Sequence, residues 1–437
     1  MELDKTTLSD LSVFSPEEDF SVFGKLNETL TIRGKDELQR MLTTPLKTAA
    51  DIKNVQQILK LVLRKESGWT KLISNGTIMV VERFFDSNID QIPSSPSAIA
   101  AYTYKIVSGP DFSLVKYSAK HCFDFIKGLQ HLNELLYEEG CPPPLKEILI
   151  ESKKLTSTAE ANIKNYKTAA EMPVPVMLGF AHFIRYRYKN NMTALLHIHA
   201  KLDAWFGMAM AVKKNGLTFP DIIESATPVI EAKGLYHILL NTPVPYDVEL
   251  NRESNFLFLT GANMAGKSTF IKSVGIAVFL AHAGMGVPAQ AMRLSVFDGM
   301  LSNINVVDNI IKGESYFFNE VQRIKATVNK VSDGRKWLIL IDELFKGTNV
   351  QDAMKCSTAV IEGLIKIKNS LFILSTHLYE IGEDLKKYPN ISFHYFETSI
   401  TNDQLSFNYQ LKDGISNDRL GYLILKKEGV VKMLEGL

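Results

Sequence analysis

Eight residues, Gly261-Ala262-Asn263-Met264-Ala265-Gly266-Lys267-Ser268, spell G-x-x-x-x-G-K-S. Residue types in that order suit one task, which is holding a chain of phosphates. Glycines let backbone amides turn toward an anion, and a helix that opens inside the motif adds the favourable potential of its N-terminus. Lys267 would reach the β- and γ-phosphates, and the Ser268 hydroxyl would ligate Mg²⁺. About 75 residues further on, Leu338-Ile-Leu-Ile-Asp342-Glu343 is an apolar run ending in two carboxylates. Asp342 suits the Mg²⁺ shell, and Glu343 suits a base that polarises an attacking water. A strand ending in Asp-Glu is common for structural reasons alone. Its place after a phosphate loop gives it a chemical reading, and the paired acids favour hydrolysis over binding alone. Thr376-His377 follows a third apolar run, Phe372-Ile-Leu-Ser375. A histidine after a strand is ordinarily a surface residue, but alongside a phosphate loop and an acid pair it is a candidate γ-phosphate sensor. The other eight histidines show no ligand spacing, and His197-x-His199 points to two faces of a helix.

These residues need a frame. After about Thr218, short apolar runs at Phe256–Leu259, Trp337–Ile341 and Leu371–Leu374 alternate with helical segments of 15 residues or more, which predicts a parallel sheet with crossover helices. Residues 392–411 alternate like antiparallel strands, and a helix is expected from about Leu420. Before about Gly216 the pattern is helical, as in Val55, Ile58, Leu59 and Val62, with breaks at Pro93-Ser-Ser-Pro96, Gly109-Pro110 and Gly140-Cys-Pro-Pro-Pro144. The polar stretch 147–171 reads as a strut or arm. The expected division is an all-α domain over 1–215 followed by an α/β domain over 216–437.

Composition bounds the rest. At 437 residues the chain has room for two or three domains, and 46% hydrophobic with 22% charged residues excludes a disordered or fibrous chain. A net charge of +1 excludes a strongly basic mode of nucleic-acid binding, though not a local basic patch. The best such patch is Arg185-Tyr-Arg-Tyr-Lys189 with Lys201, which either touches a phosphate backbone or is a solvated helix face over packed aromatics. Three scattered cysteines suggest a reducing compartment and no zinc site. No apolar run approaches the ~20 residues that span a bilayer, and the polar N-terminus lacks a leader pattern, so a cytoplasmic protein is expected.

Thr260-Gly-Ala-Asn-Met-Ala-Gly-Lys-Ser-Thr269 resembles the phosphate loop of the MutS family, Gly-Pro-Asn-Met-Gly-Gly-Lys-Ser-Thr. Further resemblances follow in order: Gly284-Met-Gly-Val-Pro-Ala289; Gly313-Glu-Ser-Tyr-Phe317 with Glu320; Asp342-Glu-Leu-Phe-Lys-Gly-Thr-Asn349 with Asp352; Ser375-Thr-His-Leu-Tyr-Glu380; and Leu411-Lys-Asp-Gly414, Gly421 and Gly429. Upstream, Phe23-Gly-Lys-Leu-Asn27 to Thr44-Pro45-Leu46 and Leu202-Asp-Ala204 resemble the family's core and lever region more loosely.

The resemblance implies an ABC-type phosphate-loop ATPase domain behind an α-helical lever domain. It implies ATP and Mg²⁺ as cofactors, a homodimer with composite sites, DNA as partner and other repair proteins as possible partners. Residues 261–269 would hold the nucleotide, Ser268 and Asp342 the metal, and Glu343 and His377 would be catalytic. Ser315 would reach the partner's nucleotide, and Tyr409 would stack on adenine, while Val244 offers only apolar contact. Ala262 and Ala265 replace Pro and Gly, Glu314 and Tyr316 replace Arg and Thr, and Phe345-Lys346 replaces Gly-Arg. Core-like sequence begins near Phe20, and Phe-x-Glu, the spelling of the mismatch wedge, occurs only as Phe318-Asn-Glu320. The expectation is therefore a nucleotide-controlled grip on DNA without its own mismatch reader. An ATP-driven dimer acting on a ribosome or another non-DNA substrate, and an interaction module that needs a partner for DNA recognition, are the alternatives.

Overall fold

The computed structural model describes residues 1–262, 264–305, 316–401, 404–416 and 430–435. The chain forms two compact units. One gathers Met1–Lys25, Thr44–Lys53 and Lys214–Leu437, and the other gathers Leu26–Thr43 and Asn54–Lys213.

The first unit carries two sheets. Strands β1 (Asp221–Ile223), β2 (Ile230–Leu235), β3 (Tyr246–Leu250) and β5 (Ala291–Ser295) form a small mixed sheet in the order β1-β5-β2-β3. Strands β4 (Phe256–Thr260), β6 (Gly299–Asn303), β7 (Trp337–Asp342), β8 (Ser370–Ser375), β9 (Ile391–Thr401) and β10 (Gln404–Asp413) form a larger one in the order β10-β9-β4-β8-β7-β6. All neighbours in it are parallel except β9 and β10, which pair antiparallel at one edge. Strands β4, β6 and β8 are buried at every position, as expected where helices cover both faces of a parallel sheet. The period of two sorts the faces. Phe256, Phe258, Ile339, Ile341, Phe372 and Leu374 point into a core shared with Ile324 and Val331 of the Tyr316–Val331 helix and with Ile361 and Leu364 of the Val350–Leu364 helix. The Lys267–His282 helix lies against β7 and β8 and is buried nearly all round. Its Gly275 marks the closest approach, since a Cβ there would stand 2.6 Å from a Leu340 methyl and 2.7 Å from one of Leu11.

The N-terminal segment was expected in the helical domain, but Met1–Lys25 and Thr44–Lys53 cluster with the α/β unit. Glu2 bridges to Gly299 at the start of β6. At the far end of β6, buried Asp10 accepts from the Ser302 hydroxyl at 2.5 Å and from the amides of Ile304 and Asn305 at 3.0 and 3.1 Å. Apolar periodicity reports that a helix has a buried face. It is silent on what covers that face.

In the helical unit the loops fall where Pro and Gly placed them: 93–96 is irregular, Gly109-Pro110 opens the Gly109–Leu136 helix, and Pro143 opens Pro143–Ile163. The polar stretch from 147 differs from a strut. Leu145, Leu149, Ser152, Thr156, Ala159 and Ile163, spaced alternately by four and three, are all buried. Two of the six are small hydroxyls, which an apolar count passes over.

Another hydroxyl sits at a polar knot. Asp203 is fully buried, and its carboxylate accepts from the amides of Leu30 and Thr31, each at 2.9 Å, and from the Thr31 hydroxyl at 2.5 Å. The same Thr31 oxygen accepts from the Gly34 amide at 3.0 Å, capping the Ile32–Thr43 helix. Burial pushes the Asp203 carboxyl up, against the pull of those hydrogen bonds. Asp203→Ala strips three donors of their acceptor, so stability should fall by roughly 2–3 kcal/mol in denaturant titrations. A loss below about 0.5 kcal/mol would remove the knot from the account of this unit's stability.

Candidate functional site

The parallel register brings the candidate residues to one edge. Strand β8 lies between β4 and β7, and its last residue, Ser375, pairs with Leu259 on one side and Asp342 on the other. The ends of the three strands therefore deliver the glycine-rich loop, the acid pair and Thr376-His377 side by side. The loop turns through three left-handed residues, Gly261 (φ 138°), Met264 (φ 68°) and Gly266 (φ 109°). At Gly261 a Cβ would press on the Phe396 backbone at 3.3 Å, so glycine serves both conformation and space. Asn263 lies outside the described residues, while Ala262 and Ala265 are buried.

The Lys267 ammonium donates to the Gly261 and Ala262 carbonyls at 2.7 and 2.9 Å. Burial pulls its pKa down to about 8, against the opposing influence of Glu343 and Asp342. A cation held on neutral carbonyls in a half-dry pocket gains most from a phosphate. Ser268 donates to one Asp342 oxygen at 2.5 Å, and the Ser375 hydroxyl donates to the other. The serine–carboxylate pair offers only hard oxygen donors, which fits Mg²⁺ once phosphate oxygens complete the shell. Among the described residues no group of three or more His, Cys, Asp or Glu is arranged to hold a metal ion by itself.

Glu343 adopts a left-handed conformation (φ 66°), and its amide donates to the Ser375 carbonyl at 3.0 Å. Its carboxylate meets His377 Nε2 at 2.6 Å and Lys346 Nζ at 3.0 Å. Burial raises its pKa, but the contacts to His377 and Lys346 outweigh burial and hold the carboxyl down to about 2. His377 Nε2 also stands 3.4 Å from Lys267 Nζ. If Nε2 carries the proton that binds Glu343, it has no lone pair for the lysine, so the glutamate contact defines the tautomer. A carboxylate this acidic orients a water better than it takes the water's proton.

Tyr409 lies beside the loop, its ring 3.4 Å from where a Gly266 Cβ would be, at a left-handed position (φ 54°) where the β9–β10 register shifts. Val244 lines a cleft of about 750 Å³ with Tyr246, His394 and Gln410. Ser315, Gly421, Gly429 and the start of the helix expected from Leu420 lie outside the described residues.

Sequence reasoning gave no role to three residues that shape this edge. Ser375 holds Asp342, and Lys346 holds Glu343. Tyr246 packs edge-on against Phe270 and Phe396 beneath the loop, its hydroxyl 3.7 Å from a Gly266 Cβ position. The Ser375 signal was present, since a hydroxyl directly precedes Thr-His; Tyr246 had none.

The basic run of the helical unit is divided: Tyr186, Arg187 and Lys189 are exposed, while Arg185 and Tyr188 are committed internally. Arg185 donates to the Phe84 carbonyl and to the Ser87 hydroxyl and carbonyl, the latter two at 3.1 and 2.6 Å, so it closes the end of the Asn75–Asp86 helix. Tyr188 is buried and donates to the Leu155 carbonyl at 2.5 Å, and Lys201 lies over the Trp205 ring. The packed-aromatic reading holds for these residues.

A parallel sheet with a glycine-rich loop, an acid pair and a histidine at its carboxyl edge defines the class: an α/β domain whose chemistry lies where its strands end. Comparison narrows this to a family. Residues 257–434 match the model for MutS domain V. The DNA mismatch repair protein MutS of Lactococcus lactis subsp. cremoris (strain SK11) is 26% identical over 289 residues, 65% of this chain and 34% of that protein. The DNA mismatch repair protein MSH3 of Candida glabrata is 30% identical over 253 residues, 56% of this chain and 24% of that protein. MutS of Petrotoga mobilis is 30% identical over 208 residues, 48% and 24% respectively. Over its C-terminal part, then, this chain is similar to proteins of the MutS family. It spans about a quarter to a third of the length of these relatives. Among the described residues no helix is long and apolar enough to cross a membrane.

Proposed function

We propose that the α/β unit is an ABC-type phosphate-loop ATPase that binds Mg·ATP and hydrolyses it, and that its nucleotide state controls a dimeric grip on DNA in repair or recombination. One observation carries the reading. The β4-β8-β7 register sets Lys267, the Ser268–Asp342 pair and the Glu343–His377 pair at one sheet edge. Residues 261–269 would wrap the phosphates, with the helix N-terminus and Lys267 neutralising their charge. Ser268 and Asp342 would hold Mg²⁺, which when bound neutralises charge on the phosphate oxygens. Glu343 would orient the attacking water, His377 would follow the γ-phosphate, and Tyr409 would lie against the adenine. The DNA partner is supported by the relatives, two of which are named MutS and one MSH3, all DNA mismatch repair proteins. The helical unit is proposed as the lever.

Glu343→Gln should bind Mg·ATP with near-normal affinity and hydrolyse it about 10²-fold more slowly, the cost typical of a misplaced reacting group. Single-turnover release of labelled phosphate measures this, and wild-type turnover in the variant would refute the assignment. Composite sites make a second test. A mixed dimer of Ser315→Arg and Lys267→Ala subunits contains one site with an intact loop and an intact partner serine, so about half the activity should return. No recovery in proven mixed dimers would exclude action in trans. Gel shifts with duplex, branched and mismatched DNA, with and without ATP, test the partner.

A further inference from the structure

We infer that Glu320 is a positioning residue for hydrolysis: its buried carboxylate holds the loop that aims Glu343. This rests on the ATPase reading above and names how one helix governs that site.

Glu320 is 4% exposed, an unusual burial for a carboxylate. Its Oε1 accepts from the Lys346 amide at 3.1 Å and its Oε2 from the Gly347 amide at 3.2 Å. Both oxygens are spent on consecutive backbone N–H groups of the loop that leaves β7. One turn earlier on the same helix, the Phe317 ring packs against Phe345 with centroids 5.7 Å apart. The Tyr316–Val331 helix thus grips residues 345–347 twice.

That loop needs gripping. Glu343 and Phe345 are both left-handed (φ 66° and 59°), and neither is glycine, so each conformation is strained and its surroundings must hold it. Phe345 is 4% exposed and held by Phe317, while the next two amides are held by Glu320. Lys346, fixed through its backbone, reaches back to the Glu343 carboxylate at 3.0 Å. The chain of contact therefore runs from Glu320 through the 346–347 amides to the orientation of Glu343. Nucleotide-binding groups lie elsewhere: Lys267 and Ser268 sit on a different helix, and Asp342 is held by Ser268 and Ser375. Disturbing Glu320 should consequently slow chemistry and leave binding alone.

The test is Glu320→Gln, which keeps the size but turns an NH₂ group toward one of the two amide donors. Three quantities are read: kcat and KM for Mg·ATP, the Kd of the non-hydrolysed nucleotide, and hydrogen exchange at the Lys346 and Gly347 amides. Turnover should fall about 10- to 100-fold with Kd within twofold of wild type, and at least one of the two amides should exchange tenfold faster or more. Glu320→Asp, which retains the charge but retracts it, should lie between. A merely structural role would instead lower the melting temperature and weaken Kd along with kcat. Wild-type kcat in folded Glu320→Gln, or a Kd rising as much as kcat falls, overturns the inference while the ATPase reading stands. Absence of hydrolysis by the wild-type protein overturns that reading and this inference with it.

Discussion

Lys267→Ala should raise the Kd for Mg·ATP by about 10²–10³-fold, the cost typical of removing one partner from a buried, hydrogen-bonded charge pair. The size of the effect follows from where the ammonium sits. It is 6% exposed, so water screens its attraction to phosphate weakly. It rests on the Gly261 and Ala262 carbonyls, and therefore already lies inside the loop before any ligand arrives. Little side-chain ordering remains to be done on binding, and nearly the whole interaction is available as affinity. Removing the side chain also leaves two loop carbonyls without that donor, so a thermal melt must accompany the titration to separate local loosening from unfolding. Isothermal titration with a slowly hydrolysed analogue gives the number. A Kd within threefold of wild type, in a protein with a wild-type melt, would mean that residues 261–268 do not cradle phosphates.

The chemistry-bearing residues were legible because chemistry constrains type and spacing together. Glycines, a lysine and a serine in fixed order, then two acids behind an apolar run, admit few readings, and the three apolar runs at β4, β7 and β8 are the strands that place them. The fully buried strands announce themselves by continuous apolar sequence. What stayed hidden was contact between segments far apart in the chain. Nothing in Lys5–Asp10 says that Asp10 will hold the end of β6, nearly 300 residues away, and its apolar neighbours Leu11 and Val13 would serve equally well in a helical bundle. Arg185 shows the converse. A cation among aromatics has the composition of a phosphate-binding face, yet its five donors also suit the carbonyls at a helix end, and the fold uses them there. Glu320 was visible as a companion of Gly313-Glu-Ser-Tyr-Phe317 and as the last letter of Phe318-Asn-Glu320; that its carboxylate spans two loop amides depends on a loop in left-handed conformation that no local pattern encodes.

Lowering the pH from 7.5 to 4.5 should destabilise the protein by roughly 2–3 kcal/mol for each of three buried histidines. Burial is the main cause that brings His199, His237 and His282 from an ordinary 6.5 down to about 4. Geometry gives the same answer for two of them. The Phe297 amide donates to His282 Nε2 at 3.1 Å, so that nitrogen carries no proton, and Nδ1–H meets the Leu46 carbonyl at 3.0 Å. The Leu239 amide likewise donates to His237 Nδ1 at 3.3 Å. Protonating either ring would set N–H against N–H. His199, beside the Phe125 ring, has no hydrogen-bond partner for Nδ1 among the described residues. As the pH falls through 6.5 the unfolded chain takes up these protons while the folded chain refuses them until about 4, so stability is intact above 6.5 and declines across the window between. Glu343, held near 2, remains ionised in the folded state throughout and adds to the loss only toward the lower limit, where its unfolded form begins to protonate. Urea titrations at pH 7.5, 6.0, 5.25 and 4.5 give the slope, and a wild-type slope in His282→Asn, whose neutral amide cannot titrate, would show that His282 contributes nothing to it.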